Sequence, residues 1–203
     1  MMGLMESMVA AGLGQNNAVV LDLLNACGST IESMWLWDSD EKAAEMWDRC
    51  LKGHLATLGL VHADTLSTMR NLGAVYARME KRKKGLELLE RALKGMERTL
   101  GKSHPMTIAA LENLAEIHEL GSGTFAEREC LEAEGYYERA LRGCTAHFGK
   151  DHLRSKKTLY NLNRCVSNAG GDIARMQRRK REIATIIKVS RRWEVFFVGE
   201  RSF

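Results

Sequence analysis

Residues 58–101 read LGLVHADTLSTMRNLGAVYARMEKRKKGLELLERALKGMERTLG, and much of that stretch is written again downstream. The next segment opens Leu100-Gly101-Lys102-Ser103-His104-Pro105-Met106-Thr107, and a third opens Phe148-Gly149-Lys150-Asp151-His152. Gly59 to Gly101, His62 to His104 and Asn71 to Asn113 are each steps of 42 residues. Gly101 to Gly149, His104 to His152 and Asn113 to Asn161 are each steps of 48. A fixed period of this size is the signature of stacked repeats, each too small to bury its apolar face alone. The six extra residues of the longer step fall in ELGSGTFAEREC, where Gly121-Ser122-Gly123 reads as a lengthened turn.

One proline in 203 residues and an abundance of strong helix formers predict an all-α chain. Helices are expected at 17–34, 40–57, 63–79, 83–99, 105–120, 128–147, 152–168 and 172–190, joined by short turns. Gly28 reads as a weak point in the first. Asp38 and Ser39 supply a cap for the second, with Asp40 and Glu41 in its first turn, where the helix dipole favours acids. The pairs group as 17–57, 58–100, 101–147 and 148–190. Residues 1–16 are expected to form an amphipathic capping helix or repeat remnant, and 191–203 an aromatic tail.

Small and large residues alternate specifically within each pair. Met69-x2-Leu72-Gly73-x2-Tyr76 precedes Gly85-x3-Leu89-x2-Ala92, and Leu111-x2-Leu114-Ala115-x2-His118 precedes Ala133-x3-Tyr137-x2-Ala140. Ala43-x3-Trp47-x2-Cys50 repeats the second half of the pattern. The spacing puts these residues on one helix face, where the small ones let helices approach and the large ones fill the gap. Asn163 stands where a small residue is expected, and the 172–190 helix lacks the pattern.

These residues resemble the tetratricopeptide repeat, W-x2-L-G-x2-Y…A-x3-F. The opening Gly59, His62, Thr65, then Gly101, His104, Pro105, Thr107, with its 42-residue period, is similar to the variant found in kinesin light chains. The resemblance implies a right-handed α-solenoid of antiparallel helix pairs. It also implies a non-catalytic scaffold that holds a peptide or partner domain in its concave groove, alone or as part of a larger multidomain protein. In that family the groove is lined by the first helix of each pair. The positions two and five residues either side of Leu72, Leu114 and Leu162 include Arg70, Glu112, Glu116, Glu119, Lys157, Tyr160, Arg164 and Ser167, with Arg78 beside them. Arg70, Arg78, Lys157 and Arg164 are expected to bind carboxylates, and the glutamate strip to bind Lys or Arg. Glu112, Glu116 and Glu119 share one face and repel one another unless cations intervene.

Other chemistry is thinly supported. His62, His104 and His152 recur with the repeat and read as turn residues bonding local backbone. Cys144-x2-His147-x4-His152 has no fourth metal partner and no third group to orient a nucleophile, so no catalytic residue, metal or cofactor is expected. The five cysteines form no CxxC, which suits a reducing cytoplasm or nucleus. No stretch approaches 18 uninterrupted apolar residues, so no membrane span is expected. The alternative function lies in Arg178, Arg179, Lys180 and Arg181, a basic run on a helix with an apolar side. It would bind nucleic acid or an anionic membrane.

Overall fold

Three turns set the architecture. In the computed structural model Gly59, Gly101 and Gly149 have φ of 81°, 90° and 84°, a region that side chains strain to enter. The carbonyl of each accepts the hydroxyl six residues on: Thr65 at 2.8 Å, Thr107 at 2.8 Å and Ser155 at 2.7 Å. The histidine three residues after each glycine caps the coming helix. Nδ1 of His62 accepts the N–H of Asp64 at 3.3 Å, His104 that of Met106 at 3.2 Å, and His152 that of Arg154 at 3.1 Å. This bonding assigns the ring proton of each to Nε2. The expected local role of these histidines is met, and its form is an imidazole N-cap.

The structure describes residues 17–33, 39–79, 81–120, 126–168 and 177–186, in two compact units, Met1–Thr99 and Leu100–Phe203. The first unit holds α1 (Ala18–Ser33), α2 (Ser39–Thr57), α3 (Ala63–Arg78) and α4 (Arg82–Thr99), each packed on the next. The second holds α5 (Pro105–Leu120), α6 (Ala126–Phe148) and α7 (Leu153–Asn168), and residues 177–186 are helical. The described residues contain helices and no strands, as the composition predicts. Helix ends match expectation within two residues, and 177–186 is the described part of the helix expected at 172–190. The capping helix or repeat remnant expected at 1–16, the cap Asp38, the turn at 121–123 and the tail lie outside the described residues.

Close approach governs the pairs. A Cβ on Gly85 would stand 2.6 Å from the Gly73 carbonyl oxygen and 2.9 Å from the Ala77 nitrogen, so α3 and α4 touch backbone to backbone. Gly28 plays the same part for Trp47 and does not weaken α1, which runs straight through it. A Cβ there would meet the indole at 2.6 Å. The Trp47 indole N–H donates to Asn25 Oδ1 at 3.2 Å. The large members of the pattern, Trp47, Leu89 and Tyr137, are all fully buried.

His54 stands where the next pairs have Met96 and Cys144, and all three are buried. Thr68 already donates its hydroxyl hydrogen to the Asp64 carbonyl at 2.9 Å. Its oxygen therefore accepts from His54 Nδ1 at 3.1 Å, with the Cys50 thiol 3.9 Å from Nε2. Burial lowers the His54 pKa against the attraction of Asp64 and Asp22, so the ring folds in neutral.

Two outcomes follow from these contacts. Gly85→Ala should lower stability by about 2 kcal/mol through backbone overpacking, while Gly135→Ala, on open helix surface, should raise it by about 0.5–1 kcal/mol. Urea midpoints of the two variants check both signs. For His54 the folded pKa lies below the unfolded value of about 6.5. Its contribution to stability is present above pH about 6.5 and declines as pH falls through the folded pKa. Melting curves between pH 7 and 5 should therefore flatten in His54→Met.

Candidate functional site: the first-helix faces and the charges on them

In the first unit, α3 carries two of the expected groove residues. Arg78 at its last turn donates to both oxygens of Asp40 at the start of α2, with distances of 2.9–3.2 Å. Arg70 is half-exposed and donates to Asn71 Oδ1 at 2.9 Å. Arg78 thus already holds a carboxylate of its own chain.

In the second unit, the glutamate strip of α5 is divided by its partners on α7. Glu112 accepts Arg154 at 3.0 Å and the Thr158 hydroxyl at 2.7 Å. Thr158 in turn faces the Cys144 thiol at 3.5 Å. Glu119 accepts both the Nε and Nη2 hydrogens of Arg164, at 3.1 and 2.8 Å, and the Tyr137 hydroxyl at 3.2 Å. The repulsion expected in the strip is relieved at one end by Arg164 and at the other by Arg154. Arg154, Thr158 and Tyr137 are not among the sequence candidates: the first two lie on the next first helix, and Tyr137 reads only as a core filler.

Glu116 remains between these two pairs, and it makes no hydrogen bond or ion pair with a described residue. Partial desolvation first, and then Glu112 and Glu119, raise its pKa, while Lys157 and Arg164 pull it back. Lys157 and Tyr160 are exposed and likewise make no hydrogen bond or ion pair with a described residue; Tyr160 is 67% exposed, unusual for an aromatic ring. Ser167 turns back to the Asn163 carbonyl of its own helix at 2.8 Å.

The basic run divides in the same manner. Arg178, Lys180 and Arg181 are exposed. Arg179 donates to Glu134 and, at 3.1 Å, to Glu138 on α6, and it also pairs with Glu182. Burial works against its charge, and the three carboxylates more than restore it. Glu134 is 1% exposed, where the earlier pairs carry Ala44 and Leu86. An acid in that apolar register is the one sequence signal that would have found this contact.

Cys144 lies in the core at 0% exposure, and burial pushes its thiol pKa up, the wrong direction for a nucleophile. His147 is exposed with its ring against Phe148, at 4.5 Å between centroids. No helix among the described residues is long and apolar enough to cross a membrane.

Residues 64–127 and 107–154 match two family models, each described as tetratricopeptide repeat. Residues 64–154 are thus tetratricopeptide repeats, a kind of repeat that generally mediates protein–protein contacts. The fold of the chain is that of kinesin-light-chain-like repeats. It is similar to a crystal structure of a variant of a Podosopora anserina putative kinesin light chain with nearly identical TPR-like repeats, at a TM-score of 0.69 and 18% identity over 94% of this chain and 86% of that one. A second structure of that putative kinesin light chain gives 0.65 and 17% over 98% and 87%. BtubC (BKLC) from P. vanneervenii gives 0.65 and 17% over 91% of this chain and 66% of its own. No curated protein matches the chain.

The Glu112–Arg154 pair is mostly shielded from water. A double-mutant cycle of Glu112→Gln and Arg154→Ala should give a coupling of about 1 kcal/mol in thermal unfolding. The same cycle at Glu116 and Lys157, which share no hydrogen bond or ion pair, should give a smaller coupling.

Proposed function

We propose that this chain is a protein-interaction scaffold that holds a peptide or partner domain against the first helices of its pairs, and that α5 and α7 carry the specificity. The observation that supports this is the division of charges on those helices. Glu112, Glu119 and Arg164 are engaged within the chain, which leaves Glu116, Lys157 and Tyr160 presented to solvent. A partner would set a cation on Glu116, a carboxylate on Lys157 and an apolar side chain on the Tyr160 ring. Aromatic side chains of this kind dominate binding energy when a partner covers them, while the flanking charges set approach and register. In the first unit, half-exposed Arg70 on α3 extends the same reading, and Arg78 is assigned to the fold. The five buried free thiols support a reducing, cytoplasmic setting.

The test is capture of partners from lysate with the wild-type chain, Glu116→Lys and Tyr160→Ala. Tyr160→Ala should cost tenfold or more in affinity, about 1.4 kcal/mol. Both variants should melt as the wild type does, because neither residue is bonded to a described part of the chain. Identical partner lists from all three would remove this reading. Binding through the basic run would show instead as steep loss of affinity with salt and sensitivity to Arg178, Lys180 and Arg181.

A further inference from the structure

The fourth pair is closed differently from the others. Asn163 occupies the place of Gly73 and Ala115, and residues 177–186 lack the small-x3-large pattern of α4 and α6. Of these ten helical residues only Ile183 is fully buried, Arg179 and Ile186 are half-buried, and the rest are exposed. Two anchors four residues apart carry the contact. Ile183 enters the core cluster of Ala133, Tyr137, Leu162, Cys165 and Val166, and Arg179 reaches Glu134 and Glu138 on α6. Glu134 is the informative group. It is a carboxylate closed to water in a register that is apolar elsewhere, so it requires a guanidinium or ammonium to be deposited on it. Helices draw most of their stability from packing rather than from propensity, so this stretch depends on its anchors.

We propose that the α6–α7 surface beneath residues 177–186 is a recognition site for a basic amphipathic helix bearing an arginine and, four residues on, a branched aliphatic residue, and that 177–186 occupies it as an exchangeable ligand supplied in cis. The arginine meets Glu134 and Glu138, and the aliphatic residue fills the gap beside Tyr137 and Leu162. The exposed Arg178, Lys180 and Arg181 add no contact to described residues, so the pattern recognised is Arg-x3-Ile and not basic charge at large. The tether keeps the cis segment at an effective concentration of about millimolar, which a partner helix in trans must overcome. The site involves none of Glu116, Lys157 and Tyr160, so it stands independently of the groove reading.

The full chain carrying Arg179→Gln and Ile183→Asn empties the site, and a fluorescent peptide spanning 172–190 is the probe. The peptide should bind this variant at least tenfold more tightly than the wild type, whose own segment competes. Adding Glu134→Gln to the variant should cost tenfold or more, and replacing Arg178 and Lys180 in the peptide by Gln should change little. Equal binding to wild type and variant, or indifference to Glu134→Gln, would overturn the proposal. So would no binding by a variant that still melts cooperatively. A concentration-dependent wild-type dimer that Glu134→Gln abolishes would support it, with a second copy supplying the helix. If the double variant fails to fold, hydrogen exchange on the wild type decides. Amides of 177–186 should exchange by a local opening ahead of α5–α7, and exchange only with global unfolding would refute exchangeability.

Discussion

The structure depends on a carbonyl. At Gly59, Gly101 and Gly149 the chain enters the left-handed region, turns its carbonyl back, and has it captured by a hydroxyl six residues on. That one hydrogen bond ties each turn to the first helix that starts from it. The histidine cap then satisfies an N–H that the helix cannot. Glycine, histidine and threonine recur together because each answers a different demand of the same turn. The positive φ rules out most side chains, the free N–H needs an acceptor, and the reversed carbonyl needs a donor. The replacement of threonine by Ser155 in the last copy preserves the hydroxyl and nothing else.

Within the pairs the governing quantity is distance between backbones. Gly73 against Gly85 gives a backbone-to-backbone approach, and Gly28 leaves room for the Trp47 indole. Because interiors are packed to crystal-like density, a change at one small position must be answered at its partner. The last pair shows what happens when it is not. Asn163 stands in place of the small residue, and the described part of the following helix, 177–186, meets α6 through the ion pairs of Arg179 and the core through Ile183.

Charge is used in two ways on the helices. Asp40 with Arg78, Glu112 with Arg154 and Glu119 with Arg164 are internal ties between helices, each partly shielded and geometrically fixed. Such pairs serve mainly to fix how neighbouring helices sit, since desolvation offsets much of their attraction. Glu116, Lys157 and Tyr160 are different because no described residue bonds them.

The repeat period, the helix boundaries, the turn glycines and the small-against-large pattern are legible in the sequence. They are local or register-bound properties: a φ value, a 3.6-residue stripe, a spacing that returns after 42 residues. Gly28 reads as a weakness in the sequence because only the position of Trp47 reveals it as a clearance. The division of the candidate charges is not legible at all. Arg154 and Arg164 look alike on α7, as do Glu112, Glu116 and Glu119 on α5, and the sequence offers all three glutamates as binding residues or none. Which glutamate meets which cation is set by the crossing of two helices, between residues 42 and 45 positions apart in sequence, to within the reach of a side chain. The sequence determined which positions repeat and which vary between copies; only the tertiary structure, by setting side chains of α7 within reach of α5, decided which of the varying charges are bonded within the chain.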